Sequence, residues 1–231
     1  MNPPASDHAR VPGIFGIGYF VLSGLAFVLA PPLPPPDGDP AVIAAFHATN
    51  ARALQVNATI TTFAVLCLVV FLGALRGRLS GNRTWAAAGT AAGGMGATLV
   101  VAFSAVGAAV GLRGGSTESI HVATALHDVA YVGVALAGGA FGIAAFAYAL
   151  AIRTTRALPA GLAPGGFAAA LALLGGVASV GLDRGPLQIG SPLSLFGYAL
   201  WNFWVAAAAT ALWMIPPPVA ARPLPLPGAS E

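Results

Sequence analysis

The sequence predicts an all-α polytopic membrane protein with six transmembrane helices in three hairpins, on three observations. Of 231 residues, 57% are hydrophobic and 7% charged, against roughly 25% charged in an ordinary soluble domain. The hydrophobicity falls in long blocks broken by short polar turns. No block alternates at period two, as the strands of a membrane β-barrel would.

Six spans are predicted. The first, 13–30, is ended by "PPLPPPDGDP", and the second, 56–75, by "RGRLSGNR". The third, 85–112, is closed by "RGGSTES", and the fourth, 120–152, by "RTTRALPAG". The fifth covers 165–182 up to "DRGPLQIGSP", and the sixth covers 193–215 before a Pro-rich tail. Arg10 ahead of the first apolar run imitates a signal peptide. The run is long enough to span, however, and the prolines after Ala30 suit a cleavage site badly. Residues 1–12 and 216–231 are read as cytoplasmic tails, and 13–215 as the membrane domain.

Arginine placement sets the orientation. With the N-terminus inside, Arg10, Arg76, Arg78, Arg83, Arg153, Arg156 and Arg222 lie on the inner side, seven in all. Arg52, Arg113 and Arg184, three in all, lie on the outer side. This positive-inside bias predicts cytoplasmic termini and a place in the cell membrane. Asp37, Asp39, Glu118 and Asp183 then fall outside.

Two helices look longer than a bilayer requires. From Ala41 to Leu75 no proline or glycine occurs before Gly73, which predicts a rod of ~50 Å at 1.5 Å per residue. The hydrocarbon core is only ~30 Å thick. The fourth helix is similar, so His47 and His121 are expected on outer, interfacial turns.

Helical periodicity then gathers polar residues into stripes. Thr117, His121, Thr124, Asp128 and Tyr131 recur at steps of four and three, with His127 bordering them. The second span carries His47, Asn50, Asn57 and Thr61 on one face, and the sixth carries Ser194, Tyr198, Trp201 and Asn202. The economical arrangement has all three stripes facing one another around an outward-opening polar pocket. A plainer role competes, because polar side chains join membrane helices at ~0.6–2 kcal/mol per hydrogen bond. Asn50, Asn57, Thr61, Thr124 and Asn202 suit that role, while Tyr198 and Trp201 suit packing or interfacial anchoring. Asp128 stands apart, since a carboxylate about two turns into a membrane helix costs up to ~3 kcal/mol.

Several chemistries are excluded or unsupported. The chain has no lysine, which rules out a Schiff base to retinal. Its net charge of +3 is too small and scattered for nucleic acid. Cys67 is the single cysteine, so no intrachain disulfide and no Cys-x-x-Cys motif can form. His121 and His127 are six residues apart and diverge by about 120° on a helix, unsuited to one metal ion. Haem between His47 and His121 would rest on two interfacial histidines alone, and no cofactor is expected. The Gly-Gly pairs follow no strand, so they make no nucleotide loop. Gly89-x-x-x-Gly93, Gly107-x-x-x-Gly111 and Gly138-x-x-x-Gly142 fit close helix packing, within one chain or between copies in a homo-oligomer. Asn57-Ala-Thr and Asn82-Arg-Thr match a glycosylation pattern but lie in or inside the membrane.

"FHATNARAL" and "IHVATALHD" open the second and fourth helices alike, a hint of pseudo-symmetric hairpins. The chain also resembles a broad group of uncharacterised actinobacterial six-helix membrane proteins. The likeness rests on the acidic Pro-rich loop, the His-bearing long helix, "LRGRL", "ALP" after the fourth span and a Leu-Trp in the sixth. The alanine, arginine and proline bias suits a GC-rich genome. That group implies the six-helix fold and carries no activity or site residues across.

Three function classes follow. One is a structural or accessory subunit, whose stripes only join helices. Another binds or transports a small hydrophobic or amphipathic ligand, contacted by His47, Asn50, Asn57, Thr124, Tyr131, Tyr198, Trp201 and Asn202. The third is a cofactor-free intramembrane isomerase or cyclase, with Asp128 as proton donor and His121 or His127 as relay.

Overall fold

The structure is a computed structural model describing residues 11–36, 38–112, 120–178 and 192–214. Asp37, Thr117, Glu118, Asp183, Ser194's side chain, the arginines at 10, 113, 184 and 222, and the end of the fifth span at 179–182 lie outside the described residues. Every regular element among the described residues is helical.

Local chemistry sets the ends of the helices. Helix α1, Val11–Leu29, stops before Pro31 and Pro32, which cannot continue it. Helix α2, Pro40–Arg78, starts with Asp39, whose side chain accepts from the Ala41 amide at 2.8 Å, and with a proline in its first turn. It then runs unbroken for 39 residues, ~58 Å at 1.5 Å per residue. The expected rod is therefore present, and it is longer than 41–75. A single 3-10 turn, Ser80–Asn82, hands over to α3, Arg83–Leu112. Asn82 ties this corner by donating from Nδ2 to the Thr154 hydroxyl at 2.9 Å.

Helix α4, Ile120–Thr155, is a second rod of 36 residues. It ends at Arg156, the one described non-glycine residue with positive φ, at 52°. That left-handed turn lets the Arg156 amide bond back to the Ile152 carbonyl at 2.9 Å. Helix α5 is Leu162–Ala178 and helix α6 is Pro192–Met214.

The six helices form a closed ring. Each packs against its neighbours in the chain, and α6 returns to α1. Helix α4 also reaches across to α2 and α6, and half of its apolar stretch is buried, against 22–28% in α1, α2 and α3. Its small residues permit this. Ala137, Ala140, Ala144 and Ala151 are buried, and neighbouring glycines accept the large rings that α4 does carry. A methyl added at Gly96 would meet the Phe141 ring at 2.8 Å, and one at Gly93 would meet Leu72 at 2.6 Å. Within the motifs, Gly93, Gly111, Gly138 and Gly142 thus lie against neighbours of the same chain, whereas Gly107 meets nothing within 4 Å. Stacked rings fill the centre, with Phe141 and Trp201 at 5.2 Å and Trp201 and Trp204 at 5.5 Å between centroids.

The outside of the ring is apolar as well. Leu171 is 77% exposed, Phe203 64% and Phe63 58%, on helices with almost no exposed charge along their middles. Water would oppose so large an apolar surface, whereas lipid would not. Five of the helices are long and apolar enough to cross a membrane, and α5 has 17 described residues. The class of protein is thus an all-helical, membrane-embedded bundle.

Candidate functional site

Two histidines meet inside one end of this bundle. His47 is the eighth residue of α2 and His127 the eighth of α4, two turns into each rod. Both are only 2% exposed. Their facing nitrogens, Nε2 of His47 and Nδ1 of His127, lie 3.1 Å apart, and the rings meet edge to face. The other nitrogen of His127, Nε2, lies 3.1 Å from the carbonyl of Pro34, in the segment that joins α1 to α2.

The carbonyl can only accept, so Nε2 of His127 must carry a hydrogen. In an uncharged imidazole its Nδ1 is then an acceptor, and Nε2 of His47 must donate to it. By the same logic Nδ1 of a neutral His47 is a bare acceptor. It is buried and makes no well-formed hydrogen bond among the described residues. The Gly107 backbone is also a hydrogen-bond partner of the His47 side chain, and its carbonyl can be met only by a ring N–H. The two rings thus form a chain of nitrogens between two backbone carbonyls, those of Pro34 and Gly107.

A cavity of about 270 Å³ adjoins the pair. Every helix but α1 lines it, and Leu33 closes one side. Most of the lining is apolar. Its polar members are His47, Asn57, Ser104, His127, Tyr131 and Tyr198, and none of the lining residues among those described is charged. Three of the six are already occupied: both nitrogens of His127 are bonded, Asn57 donates to the Ala26 carbonyl and Tyr198 to the Val134 carbonyl. The Tyr131 ring stands 5.6 Å from that of His127.

The structure thus brings together His47, Asn57, His127, Tyr131 and Tyr198 from the expected set. The others go elsewhere. His121 is exposed at the start of α4. Asn50 and Thr124 bond to carbonyls of their own helices, Phe46 and Ile120, each at 2.9 Å. Asp128 is half-buried and off the cavity lining, with Oδ1 lacking a hydrogen-bond partner among the described residues.

The stripe on α6 divides. Tyr198 reaches the cavity, whereas Trp201 donates to the Tyr19 hydroxyl at 3.0 Å and Asn202 accepts from the Ser23 hydroxyl. Both turn to α1. The expectation of three stripes facing one another therefore holds for part of each. Its physical reason is the ring: α6 lies between α5 and α1, and touches α4 mainly through large aromatic side chains.

Helix α3 supplies what the sequence reading missed, namely Phe103, Ser104 and Gly107. A lone serine and a glycine motif were the available signals, and neither indicated a cavity. No group of three or more metal-ligating side chains occurs among the described residues. Comparison with protein-family models, with curated proteins and with solved structures finds no match.

Proposed function

We propose that the protein is a multi-pass protein of the cell membrane that binds a small apolar or amphipathic molecule between α2, α3 and α4. The cavity carries this reading. A site of about 270 Å³ is close to the ~300–1,000 Å³ of small-molecule pockets and well above the ~150 Å³ that holds benzene. An apolar wall with a few polar groups is the usual make-up of such sites.

Orientation supports access from outside. Arg76, Arg78, Arg83, Arg153 and Arg156 cluster at the end of the bundle remote from the histidines. By the positive-inside rule that end is cytoplasmic. The cavity then opens toward the outer leaflet or the exterior, where a solute or lipid component is captured or passed on.

An acid–base role is the second reading, favoured by the buried contact of His47 with His127 beside an apolar cavity. In that reading His47 and His127 are the acting groups, and Asp128 lies away from the bound molecule. The test is equilibrium binding of 1-methylnaphthalene to the protein in nanodiscs, against protein-free discs. One saturable site per chain is expected. Uptake equal to that of empty discs would end the binding reading.

A further inference from the structure

We propose that His47 and His127 together form a site for a single proton, and that its uptake ties the cavity wall on α3 to α2 and α4. The site needs no other bound molecule.

A shortage of hydrogens leads there. Four ring nitrogens lie in a row between the carbonyls of Gly107 and Pro34. Each carbonyl must receive an N–H, and the 3.1 Å contact between the rings needs one N–H facing one lone pair. That requires three hydrogens, whereas two neutral imidazoles carry two. In the neutral pair one contact goes without, in line with the buried Nδ1 of His47, which makes no well-formed hydrogen bond among the described residues. One proton from water, bound to a ring nitrogen as a new N–H, completes all three contacts and leaves a single positive charge shared by the pair. A second proton would set N–H against N–H between the rings, so uptake stops at one.

The setting suits a cation in this place. Both rings are 2% exposed, and a hydrogen bond from a charged donor is roughly twice as strong as a neutral one. A methyl at Gly111, in the last turn of α3, would lie 3.2 Å from the His47 carbonyl, and the C-terminal end of a helix is its negative pole. The two histidines are each the eighth residue of their helices, beyond the first turn in which the positive poles of α2 and α4 act.

The ionisable neighbours are few. Helix α2 brings Asp39 and Arg52, both exposed, and α4 brings exposed His121, half-buried Asp128 and Tyr131, whose ring is 5.6 Å from that of His127. Helix α3 has only Arg83, at its far end, α5 has none, and α6 brings Tyr198 to the cavity. Asp37 lies outside the described residues. The Asp128 carboxylate, next in the chain to His127, favours a cation on the pair, and Arg52 opposes it.

His47, Gly107 and His127 all line the cavity. The third bond therefore adds α3 to a pair that already joins α2, α4 and the Pro34 connection. Acidification fastens the wall at Gly107, and alkaline conditions release it.

Hydrogens are counted by ¹⁵N NMR of the full chain in bilayers, with His8 and His121 replaced by glutamine so that only this pair of the four histidines remains. Bare and hydrogen-bearing imidazole nitrogens are well separated in such spectra. Imidazole's ordinary value is ~6.5, so two of the four nitrogens should carry hydrogen at pH ~8, and three, with one bare, at pH ~4.5. The ¹³C resonance of the Gly107 carbonyl should move over the same interval, and should stay in place in His47→Phe. The count itself needs no change at either histidine, so it holds even where His47→Phe fails to fold. Four hydrogen-bearing nitrogens at the acid end would show two independent histidines and overturn the proposal. Two would show that the pair takes no proton, and would overturn it as well. A Gly107 carbonyl indifferent to pH, with three hydrogens counted, would overturn the tie to α3.

Discussion

His47 and His127 stand 80 residues apart in the chain, yet their imidazoles share a 3.1 Å contact between α2 and α4. The contact also holds the Pro-rich connection, because His127 is bonded to the Pro34 carbonyl. One pair thus links two long helices, a loop and the wall of the cavity.

Removing His127 should therefore loosen more than one element. His127→Ala leaves both Nε2 of His47 and the Pro34 carbonyl unpartnered, at ~1–3 kcal/mol for each buried group. The expected result is a lower unfolding temperature in detergent and faster maleimide labelling of a cysteine placed at Leu33. Labelling at the wild-type rate would mean that the histidine does not tether the loop.

Two glycines of similar appearance should respond in opposite ways. A methyl at Gly133 would sit 2.2 Å from the Phe103 ring, whereas one at Gly107 would meet nothing within 4 Å. Gly133→Ala should cost ~1–3 kcal/mol through overpacking. Gly107→Ala should be neutral or stabilising by up to ~1 kcal/mol, since alanine is the better helix former. Thermal unfolding of the two variants side by side checks the sign of each.

Asp128→Asn should be tolerated. The carboxylate has a buried oxygen without a hydrogen-bond partner among the described residues, and an amide avoids placing that charge in an apolar setting. Stability equal to or above wild type is expected. Affinity for 1-methylnaphthalene should not change, because Asp128 is not part of the lining. A loss of stability would reveal a partner for the carboxylate, and a loss of affinity would bring Asp128 into the site.

Reporter fusions test the proposed orientation, in which the cavity opens outward. Fusions after Arg83 and Arg156 should report cytoplasm, and fusions after Asp39 and Arg113 the exterior. A consistent reversal would turn the cavity inward.

Most of the fold was legible because its determinants are local. The α2 rod follows from a stretch without proline or glycine before Gly73, and Asp39-Pro40 marks its start. The site was harder to read. Periodicity places Thr124, Asp128 and Tyr131 on one face of α4 but does not say which edge of that face turns inward. The packing of α2 and α3 against α4 selects the edge with His127 and Tyr131, leaving His121 exposed. The repeat between "FHATN" and "IHVAT" aligned His47 with His121, whereas contact is made with His127, six residues further on. The part played by α3 was not legible at all, because Phe103 and Gly107 look like any packing residues until the space between the helices is seen.

The most direct measurement is photolabelling of the cavity with a naphthalene bearing a diazirine, in wild type and in Gly107→Leu. A Cβ at 107 meets nothing within 4 Å and Gly107 borders the cavity, so leucine there should take up part of that space. In the wild type the label should map by peptide mass to lining residues such as Phe103, Tyr131 and Leu195, and excess 1-methylnaphthalene should suppress it. In Gly107→Leu it should fall at least ~10-fold with the unfolding temperature maintained, as loss of the cavity removes most of the apolar burial available to the probe. Label spread over lipid-facing residues such as Leu171 and Phe203, equal in the two proteins and unaffected by competitor, would contradict a ligand site in this bundle.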